Sequence, residues 1–232
     1  MEIQILQLVE GARAAKGIAV IIDVFRAFTT ECFFMANGAR TILPIGEEAL
    51  AYALKKEHPD YILAGERDEI MLPGFDYGNS PANIEHLDFT GKTIIHTTSA
   101  GTQGIANAIH ADEILTGSFV NAPAIAQYIK AKNPETVSLV CMGKGTLHPI
   151  EEDTFCAEYI KSLLENKDYP LAEKMEILRY KEGKRFFNPQ NQIQCPKQDF
   201  TLATTVGLFP FVLKAIPDDT KRQLFHIQKI DS

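Results

Sequence analysis

Acidic side chains directly follow several apolar runs of this sequence, where the strands of a parallel sheet would end. Asp23 follows the run Ile18–Ile22, and Glu66 comes one glycine after Tyr61–Ala64. Because ligands of open α/β sheets bind beyond the carboxyl ends of the strands, we expect both carboxylates at one rim. There they could ligate Mg²⁺, and Asp23 could also attack phosphorus. The alternative for Asp23 is an N-cap of the helix that follows it.

A basic residue and a hydroxyl-rich turn are placed to bind an anion at the same rim. Arg26 lies in the first turn of an expected helix and can hold a phosphate, carboxylate or sulfonate with paired N–H groups. A surface or ion-paired arginine is the alternative. The turn after Thr93–His96 offers hydroxyls and free backbone N–H groups, and it comprises Thr97, Thr98, Ser99, Ala100, Gly101 and Thr102. It matches neither a Walker A loop nor GxGxxG, and a plain helix cap is its alternative.

Two further segments carry candidate ligands. A long loop rich in Gly, Pro and acids spans Gly65–Pro81, and loops of this length in compact α/β domains are commonly functional. Within it, Asn79 and Ser80 could contact substrate or cap a short helix. Glu152 and Asp153 precede an expected helix, where acids are ordinarily partners of the helix dipole. If they face the same crevice as Asp23, they would complete a site for a hard cation.

The overall composition limits the function classes. The chain has 232 residues and a formal charge of -7, from 30 acidic and 23 basic side chains, which argues against a nucleic-acid binder. An anionic substrate would therefore need a local cation. The four cysteines form no CxxC pair and the six histidines no HExxH spacing, so no zinc site is indicated. No signal peptide and no membrane-spanning run are found, and a cytoplasmic location is expected.

Alternating apolar runs and helical segments predict an α/β fold with a largely parallel or mixed sheet. The expected strands are Ile3–Leu8, Ile18–Ile22, Thr41–Ile45, Tyr61–Ala64, Thr93–His96, Glu113–Leu115 and Thr136–Cys141. The expected helices are Ala27–Asn37, Glu47–Glu57, Thr102–Ile109, Ala122–Ala131, Thr154–Glu165 and Leu171–Lys181. We expect one domain over residues 1–232, in which the part from about residue 184 forms a cap or an edge strand.

Six ordered sequence blocks together resemble the 2-phosphosulfolactate phosphatase family. They are Ile22–Thr30, Gly65–Arg67, Gly74–Pro81, Thr97–Thr102, Gly117–Ala122 and Glu152–Ala157. The resemblance implies a three-layer α/β/α fold and Mg²⁺-dependent hydrolysis of (2R)-2-phospho-3-sulfolactate to 3-sulfolactate and phosphate, a reaction of coenzyme M biosynthesis. It also adds Thr29, Thr30 and Asn121 to the expected substrate contacts.

The chain departs from the family pattern in three places, which bear on the substrate more than on the reaction class. Cys141 is followed by Met142 rather than by Ala-Gly, and Glu158 stands where the family usually has Gly. The sequence after Gly183 is divergent. Another small phosphorylated hydroxy acid is therefore an alternative substrate, and a non-catalytic binder of phosphorylated or sulfonated metabolites is an alternative function. A homodimer is left open.

Phosphate ester hydrolysis requires charge neutralisation and an aligned nucleophile. As a hypothesis, Asp23, Glu66, Glu152 and Asp153 position Mg²⁺, while Arg26 and the turn Thr97–Thr102 bind the anionic groups. The nucleophile is then either a metal-held water or Asp23 itself. Haloacid-dehalogenase-type phosphatases use a nucleophilic Asp with a second Asp two residues later. Here that position is Phe25, which favours the water.

Overall fold

The computed structural model describes residues 1–218 and 224–231, which contain ten strands and eight α-helices. The strands are β1 (Glu2–Gln7), β2 (Gly17–Ile22), β3 (Thr41–Pro44), β4 (Ile62–Arg67), β5 (Ile70–Met71), β6 (Thr93–Thr97), β7 (Ala111–Gly117), β8 (Thr136–Cys141), β9 (Phe211–Pro217) and β10 (Phe225–Asp231). The helices are α1 (Leu8–Ala14), α2 (Ala27–Ala36), α3 (Glu48–Glu57), α4 (Gly101–Asn107), α5 (Ala122–Lys132), α6 (Glu151–Glu165), α7 (Leu171–Tyr180) and α8 (Lys197–Thr204).

The strands form one mixed sheet in the order β1-β8-β2-β7-β9-β10-β3-β6-β4-β5. Two groups within it are parallel, the first made of β1, β8, β2 and β7 and the second of β3, β6 and β4. The antiparallel pair β9 and β10 lies between the two groups and joins them. The expected α/β fold with a largely parallel or mixed sheet is confirmed.

Strand β2 shows why the sheet must be covered on both faces. Its residues Ala19 and Ile21 pack into one apolar cluster, while Ile18, Val20 and Ile22 pack into another. Alternate side chains of a strand point to opposite faces, so a continuous apolar run requires two cores. Helices supply the partners on each side, as in the α/β/α architecture that the sequence resemblance implied.

The C-terminal part differs from its expected place. It was expected at an edge or as a cap, yet β9 and β10 lie in the middle of the sheet. Leu213 and Ile227 are fully buried there, between the two parallel groups. Helix α8 was not among the expected helices. It buries Phe200 and Leu202 next to an acidic residue, Asp199, which is also buried. Within residues 1–218 and 224–231, no helix is long and apolar enough to cross a membrane.

Candidate active site

A cavity of about 440 Å³ opens where β2, β4, β6 and β8 end. Its wall includes six of the residues that the sequence marked, namely Asp23, Arg26, Glu66, Asn79, Ser99 and Ala100. The remaining lining residues are Phe25, Asp68, Glu69, Gly143, Lys144, Gly145, Ile150, Lys181, Glu182 and Arg185. The parallel strands therefore bring segments that are distant in sequence to one place, as the strand-end rule predicts.

Asp23 lies between β2 and α2, where a strand ends against the start of a helix. One of its carboxylate oxygens, Oδ1, accepts a hydrogen bond from the Ala27 N–H at 3.3 Å. The pKa of Asp23 is raised to about 6, mainly by burial and also by the negative charge of Glu66. Hydrogen bonds from the backbone N–H groups of Ala27 and Gly101 act in the opposite direction. Asp23 thus lies at the expected rim, but it is not the N-cap of α2, because Arg26 occupies that position.

Glu152 is a buried carboxylate without a hydrogen-bond partner. It lies in the first turn of α6, is fully inaccessible, and neither Oε1 nor Oε2 has a partner among the described residues. The pKa of Glu152 is raised to about 8, because the effect of burial exceeds the opposite effect of the nearby positive charge of Arg185. The charges of Glu182 and Asp23 raise it again. Because unpaired buried carboxylates are costly, this group is a candidate ligand for a cation.

Asp153, the next residue, joins two strand ends. Its Oδ1 accepts the Val24 N–H at 2.9 Å and its Oδ2 accepts the Gly143 N–H at 2.8 Å. Burial raises the pKa of Asp153 well above its usual range, and the charges of Asp23 and Glu152 add to this effect. Asp153 therefore fixes the backbone that follows β2 against the backbone that follows β8.

Glu66 occupies the hydroxyl-rich turn that was expected to bind an anion. Its Oε1 accepts both the N–H and the hydroxyl of Ser99, at 3.0 and 3.1 Å, and its Oε2 accepts the Glu69 N–H at 2.8 Å. Gly65 makes this approach possible, since it has φ of +148° and a Cβ there would lie 2.1 Å from the carbonyl oxygen of Thr97. The carboxylate of Glu66 thus takes the donors that the sequence assigned to substrate.

Arg26 is held in a buried ion pair with the C-terminal part of the chain. Its Nη1 donates to Asp199 Oδ2 and to the carbonyl oxygen of Gln194, both at 2.6 Å. The other oxygen of Asp199 accepts the hydroxyl of Ser80 at 2.8 Å and the Ala82 N–H at 2.9 Å. Burial raises the pKa of Asp199, and the Arg26 charge opposes this shift. Ser80 therefore supports Asp199 and is not part of the cavity wall.

His96 orients the amide of Asn79 from below the cavity. The ring is fully buried, with Nδ1 3.0 Å from Glu31 Oε1 and Nε2 3.3 Å from Asn79 Oδ1. With its oxygen turned to the ring, Asn79 can present its NH₂ group to the cavity that it lines. The charge on His96 also lowers the pKa of Asp23.

Several expected substrate contacts have structural roles instead. Thr29 and Thr30 of α2 donate to the carbonyl oxygens of Val24 and Arg26, which precede the helix, and Thr102 donates to the carbonyl oxygen of Thr98. The side chain of Asn121 accepts the Ser118 N–H and donates to Thr116. These side chains do not line the cavity, and neither does Gly101, which lies against Asp23. These hydroxyls donate to carbonyl oxygens four or five residues earlier. The plain cap considered for the turn is absent, because α4 has no side-chain cap hydrogen bond at its N-cap.

Arg185 is a cavity residue that sequence reasoning missed. It belongs to a short 3₁₀ segment, Glu182–Phe187, in the region that diverges from the family pattern. Glu182 lines the cavity beside it, so this segment contributes two residues to the cavity wall. A basic residue followed by two aromatic residues, Phe186 and Phe187, is the only local signal. Arg185 does not follow a strand, so the strand-end rule could not place it at the cavity.

The donor set fits a cation that binds few protein ligands. In the described part of the chain, no three His, Cys, Asp or Glu side chains are arranged to hold a metal together. Mg²⁺ usually keeps several waters and takes only one or two carboxylates besides substrate phosphate oxygens. Glu152, with two unpartnered oxygens, and Asp23, whose charge interacts with it, meet that requirement. Glu66 and Asp153 already accept backbone hydrogen bonds on both oxygens.

A covered α/β sheet with carboxylates and arginines around one cavity at its strand ends is typical of enzymes that act on small anionic substrates. Comparison with known families narrows this class. The family model for 2-phosphosulpholactate phosphatase matches residues 3–212 of the chain. The chain belongs to this family and is a phosphoric monoester hydrolase, so the alternative of a non-catalytic binder is not retained.

Curated relatives agree with the family match. A protein of Bacillus subtilis is 31% identical over 222 residues, which cover 94% of this chain and 95% of the relative. A protein of Carboxydothermus hydrogenoformans is 38% identical over 180 residues, or 76% and 74% of the two chains. A third, from Symbiobacterium thermophilum, is 36% identical over 159 residues, or 68% and 67%. Each is named a probable 2-phosphosulfolactate phosphatase.

Proposed function

We propose that this enzyme hydrolyses (2R)-2-phospho-3-sulfolactate to 3-sulfolactate and phosphate with the help of Mg²⁺. The observation that carries the proposal is the charge interaction of the buried, unpartnered Glu152 with two residues that line the cavity, Asp23 and Arg185. The names of the relatives support the substrate. A small phosphorylated hydroxy acid of another kind is the second candidate, favoured by the divergent segment that contributes Arg185.

Asp23 and Glu152 are the residues that would hold the metal ion. Both have raised pKa values that reflect the cost of placing their negative charges in a buried site, and a cation there would offset that cost. When bound, Mg²⁺ would neutralise charge on the phosphoryl oxygens and lower the pKa of a coordinated water. An anionic substrate is therefore compatible with the net charge of -7, because a bound cation would make the local charge of the site more positive.

The protein groups around the cavity would then bind and orient the ester. Arg26 and Asn79 line the cavity and offer N–H donors for the phosphoryl group. Glu66 and Asp153 keep the turns after β6, β2 and β8 in place through their backbone hydrogen bonds. With a pKa of about 6, Asp23 is mostly ionised at neutral pH and can accept the proton of an attacking water.

Phosphate release tests the proposed function. The purified chain is assayed on 2-phosphosulfolactate and on a panel of other phosphorylated hydroxy acids, with Mg²⁺ or with EDTA. We expect release from 2-phosphosulfolactate with Mg²⁺, its loss in EDTA and in Asp23→Asn, and full activity in Asp112→Asn, an exposed acid near the amino end of β7. If the chain hydrolyses no member of the panel, the proposed function is contradicted. If activity in EDTA is undiminished, the proposed metal requirement is contradicted.

Trapping separates the two nucleophiles. If water attacks phosphorus, acid quenching during turnover recovers no phosphorylated protein. A phosphoenzyme that forms in the wild-type chain and disappears in Asp23→Asn would contradict the water mechanism and identify Asp23 as the nucleophile. A cytoplasmic location, a place in coenzyme M biosynthesis and a homodimer stay predictions.

A further inference from the structure

The two arginines of the cavity differ in how fully their N–H groups are used. Arg26 is 4% exposed, and its charge is balanced by Asp199 at 2.6 Å. Arg185 has longer contacts, with Nη1 3.4 Å from Glu69 Oε1 and Nη2 3.2 Å from the carbonyl oxygen of Phe25. Its Nε is buried and has no acceptor among the described residues. Arg185 therefore keeps unused donor capacity at the cavity wall, whereas Nη1 of Arg26 is already engaged by Asp199 and Gln194.

Aromatic side chains hold the Arg185 guanidinium in a fixed position. Its Cζ lies 5.0 Å from the ring centroid of Phe186 and 5.7 Å from that of Phe25. The two rings pack edge to face with centroids 5.1 Å apart, so they form one support. A guanidinium held on aromatic rings loses little further freedom when its N–H groups bind a planar or tetrahedral anion.

Glu69 places a carboxylate against this guanidinium from the turn between β4 and β5. Asp68 and Glu69 both have positive φ there, of 52° and 67°, and the Glu69 side chain is 32% exposed. Its carboxylate also lies 4.0 Å from Lys144 Nζ and accepts a hydrogen bond from Cys195 Sγ at 3.5 Å. The two ion pairs of this carboxylate, with Arg185 at 3.4 Å and with Lys144 at 4.0 Å, are both long. A ligand carboxylate or sulfonate could replace it with shorter bonds.

The other cations of the cavity are less suited to a second anionic group. Lys144 is 71% exposed, and Lys181 is 57% exposed and paired with Glu151. Exposed ammonium groups gain little from an ion pair because water screens them. Arg185, at 22% exposure and with a forked set of donors, is the better partner for an oxyanion.

We propose that Arg185 binds a carboxylate or sulfonate that the substrate carries in addition to its phosphoryl group. This anionic group displaces Glu69 from Arg185. The proposal rests on the proposed phosphatase function and assigns Arg185 the recognition of the second anionic group of the ester. Hydrolysis of the phosphate ester is assigned to Asp23 and Glu152, which would hold the metal ion, whereas Arg185 reaches the cavity from the segment Glu182–Phe187. Arg185 thus determines specificity, and the enzyme selects against phosphate monoesters that carry no other charge.

Binding of the two products separates this role from phosphoryl binding. 3-Sulfolactate has a carboxylate and a sulfonate but no phosphate, and inorganic phosphate has neither of these groups. Titration calorimetry with Mg²⁺ measures Kd for each product without turnover. Loss of charge-assisted hydrogen bonds in Arg185→Gln is expected to weaken 3-sulfolactate binding by about 10- to 100-fold and to change phosphate binding far less.

Three further variants sharpen the test. Glu69→Gln removes the competing charge and is expected to tighten 3-sulfolactate binding, which a purely structural role of Arg185 would not produce. Arg179→Gln is the matched control, because Arg179 is exposed, stacks on Phe187 at 5.0 Å and lies outside the cavity wall. If Arg185→Gln fails to fold by circular dichroism, Arg185→Lys keeps the charge but not the fork, and it should show the same selective weakening to a smaller degree.

The two proposals fail in different ways. Equal weakening of both products by Arg185→Gln would put Arg185 at the phosphoryl group and overturn the inference. Unchanged 3-sulfolactate binding would overturn it as well. A wild-type chain that releases phosphate from no phosphorylated acid contradicts the proposed function instead, and that result comes from the activity assay alone.

Discussion

A carboxylate that is buried without partners lowers the stability of the protein that contains it, and Glu152 is such a group. Neither of its oxygens has a partner among the described residues, and burial raises its pKa from 4.5 to about 8. One pKa unit corresponds to about 1.4 kcal/mol, so this side chain destabilises the metal-free protein considerably once it ionises. Such a cost is explained most simply by a cation that the site binds during function.

The first prediction concerns the pH dependence of this cost. Between pH 4.5 and about 8 the folded chain binds more protons at Glu152 than the unfolded chain does, so its stability falls as the pH rises. Asp23, with its pKa raised to about 6, acts in the same direction. We expect metal-free Glu152→Gln to match the wild type near pH 4.5 and to exceed its free energy of unfolding by at least about 2 kcal/mol above pH 8. Urea unfolding in EDTA at several pH values measures the difference.

A matched control removes the general effect of an acid at a helix start. Glu173 is exposed in the first turn of α7, and Glu173→Gln should show no gain that grows with pH. Mg²⁺ should also raise the melting temperature of the wild type more than that of Glu152→Gln, because only the wild type keeps both carboxylates. The free energy of unfolding of Glu152→Gln minus that of the wild type should be larger above pH 8 than at pH 4.5. An equal difference at both pH values would contradict the raised pKa of Glu152.

At the level of elements, the C-terminal segment is fastened to the site by one buried ion pair. Helix α8 supplies Asp199, which bonds Arg26 at the start of α2. Asp199 also bonds Ser80, directly before the 3₁₀ turn Pro81–Asn83, and Ala82 within that turn. Asp199 is fully buried and Arg26 nearly so. Removing one member of such a pair leaves the other charge buried and uncompensated, which is more costly than the pair itself.

The second prediction follows from this contact. Asp199→Ala is expected to lower the free energy of unfolding by about 3 to 5 kcal/mol, while Asp199→Asn, which can still accept hydrogen bonds, loses less. Glu10→Gln breaks the exposed pair with Arg13 at 2.7 Å and should cost no more than about 0.5 kcal/mol. Urea unfolding measures all three variants. A loss in Asp199→Ala as small as that in Glu10→Gln would show that the buried pair does not hold the segment.

The elements and the site differ in how far the sequence alone could predict them. Asp23 directly follows an apolar run and Glu66 comes one glycine after another, so periodicity was enough to bring them to one rim. Arg185 and Asp199 lie in a stretch with no apolar repeat, and Asp199 contacts a residue 173 positions earlier in the chain. Local patterns carry no information about such a contact, because it depends on the packing of the completed sheet.

The same limit applies to the roles of the hydroxyl groups. Spacing placed Thr98, Ser99 and Thr102 at a helix start, and that placement was right, since α4 begins at Gly101. Whether their donors face a ligand or the protein depends on the acceptors nearby. Here Glu66 reaches Ser99, and Thr102 bonds the backbone of Thr98, so the protein itself satisfies them.

At the level of the whole molecule, the hairpin β9–β10 decides whether the sheet folds as one unit. It pairs with β7 of one parallel group and with β3 of the other, and its buried Leu213 and Ile227 pack with residues of both, including Ile21 and Ile94. The cavity takes residues from both groups as well, Asp23 from the first and Glu66 from the second. Stability of the hairpin and formation of the site should therefore be coupled.

The third prediction tests this coupling through Leu213→Ala. Deleting a fully buried leucine is expected to cost about 2 to 5 kcal/mol, and because the hairpin joins the groups, secondary structure and phosphatase activity should be lost in one shared urea transition. Leu208→Ala, at a 41% exposed position outside the sheet, should leave the midpoint nearly unchanged. Two separate transitions would mean that the parallel groups unfold independently, which contradicts the expectation of a single domain. Activity would then be lost with the less stable group, because the site takes residues from both.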